Sequence, residues 1–303
     1  MDITELRGIV TVLNTPFTDS GSVAPAALAD NVEYAVHSGV AGFLVPAMAS
    51  EVGALEQGER ELVVETVLSA AAGRVPVIVG VSGTTADVRM AATKHAVRVG
   101  APAVLVALGG SAGEVAEELY RVADAGAKAV ILQDWDPAGL GLPVETILEL
   151  AEDVPALAGV KIEVAAAGAK YSAVLEAAGA RLLVCGGWAV GQLIEALDRG
   201  VHAFMPTGLH AQYCEIVRRY RSGDRDGAQQ VFRDLLPVLA FANQHLDISI
   251  HFFKRLLWRQ GIYPTPAVRA PRLPFDDIHR RTADELIDHT LDHENALRAR
   301  RRG

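Results

Sequence analysis

Eight short apolar runs alternate with amphipathic segments over the first 222 residues, and few architectures accept that rhythm. The runs at 8–13, 42–46, 76–80, 102–106, 129–133, 158–162, 181–185 and 202–205 have the length of strands. Between and after them, 25–38, 57–72, 85–99, 113–126, 143–153, 168–178, 189–199 and 208–221 place apolar residues at helical spacing. Several runs are apolar throughout, such as Pro76-Val77-Ile78-Val79-Gly80, which suits a parallel sheet covered on both faces. Eight strand–helix units predict an α/β fold, a (β/α)8 TIM barrel. A doubly wound sheet is the alternative, but it carries a glycine-rich turn after its first strand, and Asn14-Thr15-Pro16-Phe17 stands there instead.

The remainder reads as helices at 225–243, 247–260 and 281–299, with Pro264, Pro266, Pro271 and Pro274 between the last two. The expected organisation is a barrel over 1–222 and a helical C-terminal extension over 223–303 packed on it. A net charge of −9 argues against nucleic acid as a partner, and the Arg298-Ala299-Arg300-Arg301-Arg302 cluster is too short and terminal to change that. Cys185 and Cys214 make no disulfide framework and are expected reduced, in a cytoplasmic protein. Neither a signal peptide nor a membrane span is expected.

In such barrels the chemistry gathers at the C-terminal ends of the strands. That rule selects Met48, Ala49, Ser50 and Glu51 after strand 2, Gln133, Asp134, Trp135 and Asp136 after strand 5, Lys161 and Glu163 on strand 6, Gly187 and Trp188 after strand 7, and Phe204 on strand 8. Lys161 is the most informative. It lies in Leu157-Ala158-Gly159-Val160-Lys161-Ile162-Glu163, and an apolar strand disfavours an ammonium ion. A neutral amine is a nucleophile that forms a Schiff base with a carbonyl substrate, which arginine cannot do. The chain has five lysines; Lys94, Lys170 and Lys254 fall on predicted helices, where solvation is ordinary, and Lys128 precedes a strand. A structural ion pair is the competing reading of Lys161.

With these residues in place, the chain resembles the dihydrodipicolinate synthase/N-acetylneuraminate lyase family of class I aldolases over almost its whole length. The resemblance rests on the order and spacing of several segments. They are Gly8-Ile9-Val10 to Thr15-Pro16-Phe17, Ser38-Gly39-Val40-Ala41-Gly42, Leu55 to Glu59-Arg60, Pro76 to Val81, Gly159-Val160-Lys161, Gly200 to Phe204-Met205-Pro206, Gly223-Asp224 with Ala228, and Arg269-Ala270-Pro271. It implies a homo-oligomer, dimer or tetramer, in which Lys161 forms an imine with pyruvate or a related 2-oxo acid, with no cofactor and no metal.

The chain also departs from the family. Where the family has a Gly-Thr-Thr-Gly-Glu motif, this sequence has Ala47-Met48-Ala49-Ser50-Glu51, so the paired hydroxyls are gone and Ser50 stands in a glycine's place. Where the family has its strand-5 tyrosine, Gln133 stands, which cannot exchange a proton near neutral pH. The strand-4 tyrosines and the arginine after strand 5 have no counterpart, which argues against synthesis of dihydrodipicolinate. Asp134 is the first candidate to take over proton transfer and Glu163 the second. Asp134 serves only if its strand has already ended, because neighbours on a strand face opposite ways. Glu163 shares a face with Lys161 and either acts as a base or neutralises the amine.

The expected activity is a Schiff-base lyase or aldolase with an altered proton relay. The alternatives are a hydratase or dehydratase working through the same imine, or a non-catalytic barrel that binds a metabolite. Catalysis is assigned to Lys161, Asp134 and Gln133, and substrate binding to Met48, Ala49, Ser50, Glu163, Phe204, Trp135 and Gly187. Glu51 reads as a residue that pins its loop. Trp135 and Trp188 either wall a pocket or pack between helices. Gly109-Gly110-Ser111 is either a phosphate cradle or a tight turn, and His202 reads as core. His289 and His293, four apart on a polar helix, read as a solvated face rather than as metal ligands.

Overall fold

A computed structural model describes residues 2–187 and 191–302. Its strands close into a parallel eight-stranded barrel in sequence order, a (β/α)8 fold. The strands are β1 (Gly8–Val12), β2 (Gly42–Val45), β3 (Val77–Gly80), β4 (Ala103–Ala107), β5 (Val130–Asp136), β6 (Leu157–Val164), β7 (Leu183–Gly186) and β8 (Ala203–Phe204). The helices are α1 (Pro25–Ser38), α2 (Gln57–Ala71), α3 (Ala86–Arg98), α4 (Ala112–Asp124), α5 (Val144–Asp153), α6 (Ala167–Ala178), α7 (Leu193–Asp198), α8 (His210–Arg221), α9 (Arg225–Ala242), α10 (Leu246–Arg259) and α11 (Asp277–Arg302). Among the described residues no helix is long and apolar enough to cross a membrane.

The chain divides into two compact units. The first, residues 1–11, 41–45 and 73–206, holds the barrel strands with α3 to α7. The second, residues 12–40, 46–72 and 207–303, holds α1, α2 and α8 to α11.

Local chemistry sets the element ends. α1 begins with Pro25 in its first turn and ends at Gly39, whose φ of 97° is open to glycine at little cost. α4 begins at Ser111, which exchanges capping bonds with Glu114. Glu114 Oε2 already accepts the Ser111 backbone N–H at 2.7 Å, so a carboxylate occupies the donor a phosphate would need. The Gly109-Gly110-Ser111 segment is therefore a turn. α11 starts four residues earlier than its periodicity predicts, because Asp276 accepts the His279 N–H at 2.9 Å and extends the first turn.

β5 and β6 are the longest strands, at seven and eight residues, and β7 and β8 have four and two. β6 pairs with β7 only as far as Ile162↔Gly186, whereas its pairing with β5 continues to Asp136↔Val164. Two strands thus extend beyond their neighbour, and the site is built on that extension.

Candidate active site

Register places Gln133, Lys161 and Cys185 side by side on β5, β6 and β7. Paired residues of a parallel sheet face the same way, and the next residue of each strand faces the other way. Glu163, two residues beyond Lys161, returns to its face. Its Oε2 lies 3.0 Å from Lys161 Nζ. The same oxygen accepts a hydrogen bond from Gln133 Nε2. Lys161, Glu163 and Gln133 are all buried.

The arrangement sets a carboxyl group within hydrogen-bond distance of a buried amine, and Gln133 fixes the orientation of that carboxyl group.

The surroundings leave space for that carboxyl group. β7 ends at Gly186, and a β-carbon at Gly187 would fall 1.7 Å from Glu163 Oε1. Only glycine lets the backbone pass so close. The Cys185 thiol is buried, and burial pushes it up to about 12 against the opposing pull of the nearby Lys161 charge. It stays a thiol at neutral pH. Tyr171 of α6 was not singled out from sequence, although it falls on the apolar face of its helix. It is buried, its hydroxyl donates to Ile162 O at 3.1 Å, and it braces β6 between Lys161 and Glu163. Burial first, and the Glu163 charge next, hold that phenol protonated.

Asp134 requires a correction. β5 does not end before it but runs to Asp136, so Asp134 pairs with Ile162 and faces away from Gln133 and Lys161. Its carboxylate is bonded to Lys170 Nζ on α6 and accepts the Leu142 N–H at 2.9 Å. Asp134 is thereby kept from the Lys161 face, whereas Glu163 touches Lys161. Phe204 is corrected on the same ground. It is fully buried and pairs with Gly186, which pairs with Ile162, so its side chain lies on the face opposite Lys161. Trp135 pairs with Glu163 and shares the Gln133 face, 49% exposed. Trp188 lies outside the described residues.

In the second unit, Met48–Ser50 form a turn of 3-10 helix, with Met48 exposed and Ala49 half-buried. Ser50 is buried, and its hydroxyl donates to Leu13 O at 2.6 Å while accepting the Ala47 N–H at 3.0 Å. That hydroxyl is committed to the loop's own backbone, which corrects its expected place in substrate binding. Asn14 and Thr15 bond the Ala49 and Ser50 carbonyls, both at 2.7 Å. Glu51, in a left-handed conformation at φ 58°, accepts from Lys254 Nζ and from the Arg269 backbone N–H, each at 2.6 Å. Burial pushes the Glu51 carboxyl up and the Lys254 amine down to about 8. Lys254 is fully buried rather than solvated, and Lys170 is nearly so. Burial alone therefore does not distinguish Lys161. Its position on the inward strand face does.

His202 accepts the Val184 N–H at 3.0 Å, and burial pushes it down to about 4. His289 and His293 stack with ring centroids 6.4 Å apart, and both engage Asp234. Among the described residues no three metal-binding side chains are grouped.

Residues 5–290 match the Dihydrodipicolinate synthetase family. The L-2-keto-3-deoxyarabonate dehydratase of Azospirillum brasilense is 28% identical over 292 residues, covering 93% of this chain and 92% of that protein. The 4-hydroxy-tetrahydrodipicolinate synthase of Salinibacter ruber is 28% identical over 301 residues, covering 94% and 97%. The fold is shared with the dihydrodipicolinate synthase structure from Rhodopseudomonas palustris, at TM-score 0.86, 21% identity and coverage of 94% and 98%. It is shared also with N-acetylneuraminate lyase from Fusobacterium nucleatum, at TM-score 0.83, 17% identity and coverage of 93% and 98%.

Proposed function

The chain belongs to the dihydrodipicolinate synthetase family, a family of enzymes, and on that premise we propose that it is a Schiff-base lyase acting on pyruvate or a related 2-oxo acid. One observation carries the reading: the 3.0 Å contact between Lys161 Nζ and Glu163 Oε2. Glu163 takes a proton from the ammonium group, and the freed amine attacks the keto carbon. A proton moves from nitrogen to oxygen to give the carbinolamine. The carboxylic acid of Glu163 then protonates the departing hydroxyl, which leaves as water, and an iminium ion remains on Lys161. As carboxylate again, Glu163 removes a proton from the neighbouring carbon or from the substrate's 4-hydroxyl group. The electrons of the broken bond flow into the iminium and form an enamine. Gln133 contributes no proton and serves to hold Glu163.

Dehydration is the second reading, favoured by the likeness to the Azospirillum dehydratase. It shares every step to the enamine, which then expels hydroxide from the adjacent carbon with Glu163 as the acid.

Borohydride reduction in the presence of a panel of 2-oxo acids tests the proposal. The Lys161 peptide is expected to gain the mass of the reduced pyruvate adduct, and Lys161→Arg to lose it. No adduct with any 2-oxo acid would overturn the reading in favour of a barrel that binds a metabolite without catalysis.

A further inference from the structure

The end of β5 and its connection to α5 combine two properties. They expose large apolar side chains, and their backbone is firmly tied. Trp135 is 49% exposed and Leu140 72% exposed, five residues apart. Single exposed apolar side chains are common on any surface, so exposure alone decides nothing. Here, however, Asp136 accepts the N–H groups of Ala138, Gly139 and Gly141 at 3.3, 2.9 and 3.1 Å. Lys170 Nζ, already bonded to Asp134, also donates to Leu140 O at 2.6 Å. Gly139 O accepts the Ala165 N–H at 3.0 Å, which ties the loop to the end of β6. Gly141 has φ 66°, and a β-carbon there would fall 2.2 Å from Asp134 Oδ1. These bonds fix the backbone of the turn that follows Trp135.

Its composition also excludes recognition by charge. From Gln133 to Leu142 there is no lysine, arginine or hydroxyl side chain, and both carboxylates are spent on the loop itself. What this strand end offers a ligand on the Gln133 face is an indole ring. Trp135 stands on the Gln133 face, paired in register with Glu163. A substrate held at Lys161 and lying against that face would bring its far end toward the indole.

We propose that Trp135, at the end of β5 and next to the turn tied by Asp136, is a specificity-determining residue that receives an aryl or branched-alkyl group at the far end of the 2-oxo acid. The inference rests on the Schiff-base reading and narrows its substrate class. The reaction cleaves a 4-hydroxy-2-oxo acid bearing such a group on carbon 4. The C3–C4 bond breaks, the 4-hydroxyl proton passes to Glu163 and an apolar aldehyde leaves; Glu163 returns a proton to C3 of the enamine, and water hydrolyses the resulting iminium to release pyruvate from Lys161. The reverse reaction condenses pyruvate with the same aldehyde. A phosphate, carboxylate or polyol in that place would meet an indole ring, with no lysine, arginine or hydroxyl side chain between Gln133 and Leu142 to hold it.

The test uses the whole purified chain with pyruvate and three acceptors, benzaldehyde, glyceraldehyde and acetaldehyde, alongside borohydride trapping of pyruvate. The expected result is an adduct at Lys161 and a kcat/KM for benzaldehyde about tenfold or more above that for glyceraldehyde. Trp135→Ala is expected to lower kcat/KM for benzaldehyde about tenfold more than for acetaldehyde, a difference that misfolding would not produce. An adduct accompanied by a preference for glyceraldehyde, or by equal losses on all acceptors, overturns this inference and leaves the Schiff-base reading standing. The absence of any adduct overturns both.

Discussion

Gly187 and Glu163 stand closer together than any side chain at position 187 would permit, since a β-carbon there would lie 1.7 Å from Glu163 Oε1. The carboxyl group that touches Lys161 is therefore seated against bare backbone where β7 ends. Gly187→Ala should displace Glu163 and break its 3.0 Å contact with the amine while leaving the barrel strands intact. Turnover is expected to fall about a hundredfold. Circular dichroism and a thermal melt should show the fold retained, and near-normal turnover would contradict this account of Glu163.

The carboxyl group itself is tested by Glu163→Gln, which keeps its size and loses its proton chemistry. The rate should fall by roughly a hundredfold or more, with imine trapping at Lys161 slowed but not abolished. Asp134→Asn makes the contrasting case. Its carboxylate faces Lys170, so the variant should loosen the loop and lower stability while retaining pH-dependent turnover. If Asp134→Asn proved the more damaging to the chemical step, the two roles would have to be exchanged.

Much of this was legible in the sequence, for a physical reason. A strand buried on both faces must be apolar, so the strand pattern stood out, and so did a lysine inside one strand. Alternation then placed Glu163 with Lys161. The end of β5 was not legible. Asp134 and Asp136 read as loop residues, yet the strand continues until Pro137, and that extension turned Asp134 outward. Nor was pairing across long separations legible. Asp134 meets Lys170 at 36 residues' distance in sequence and Glu51 meets Lys254 at 203, so both lysines passed for solvated helix residues. β8 is only two residues long, too short for alternation in the sequence to orient Phe204.

Acid should weaken the fold through buried histidines. His210 bonds Asn31, and burial pushes it down from 6.5 to about 4. The unfolded imidazole titrates at its ordinary value. Between 6.5 and about 4 the unfolded chain therefore holds a proton that the folded chain refuses, and stability falls as pH drops through that window. At pH 5 the His210 contribution lost is about 2 kcal/mol. Urea unfolding at pH 7 and pH 5 measures it, and His210→Gln should narrow the gap by about that amount. An unchanged gap would assign the acid sensitivity elsewhere, with His202 and His251, also pushed down to about 4 by burial, next in line.

The Glu51–Lys254 pair supplies a test free of catalysis. Both groups are buried, Lys254 also lies 4.0 Å from the Phe17 ring centroid, and Glu51 takes the Arg269 N–H as well. Burial opposes both charges, and the pair persists because each offsets the other's desolvation. Removing one partner leaves the other charge uncompensated. Lys254→Met should cost about 3–5 kcal/mol in urea unfolding. Adding Glu51→Gln should restore a large part of that loss, because the stranded carboxylate is gone and an amide still accepts the Arg269 N–H. Additive losses in the double variant, or a single-variant cost under about 1 kcal/mol, would mean that the pair is solvated in solution and does not hold the loop after β2.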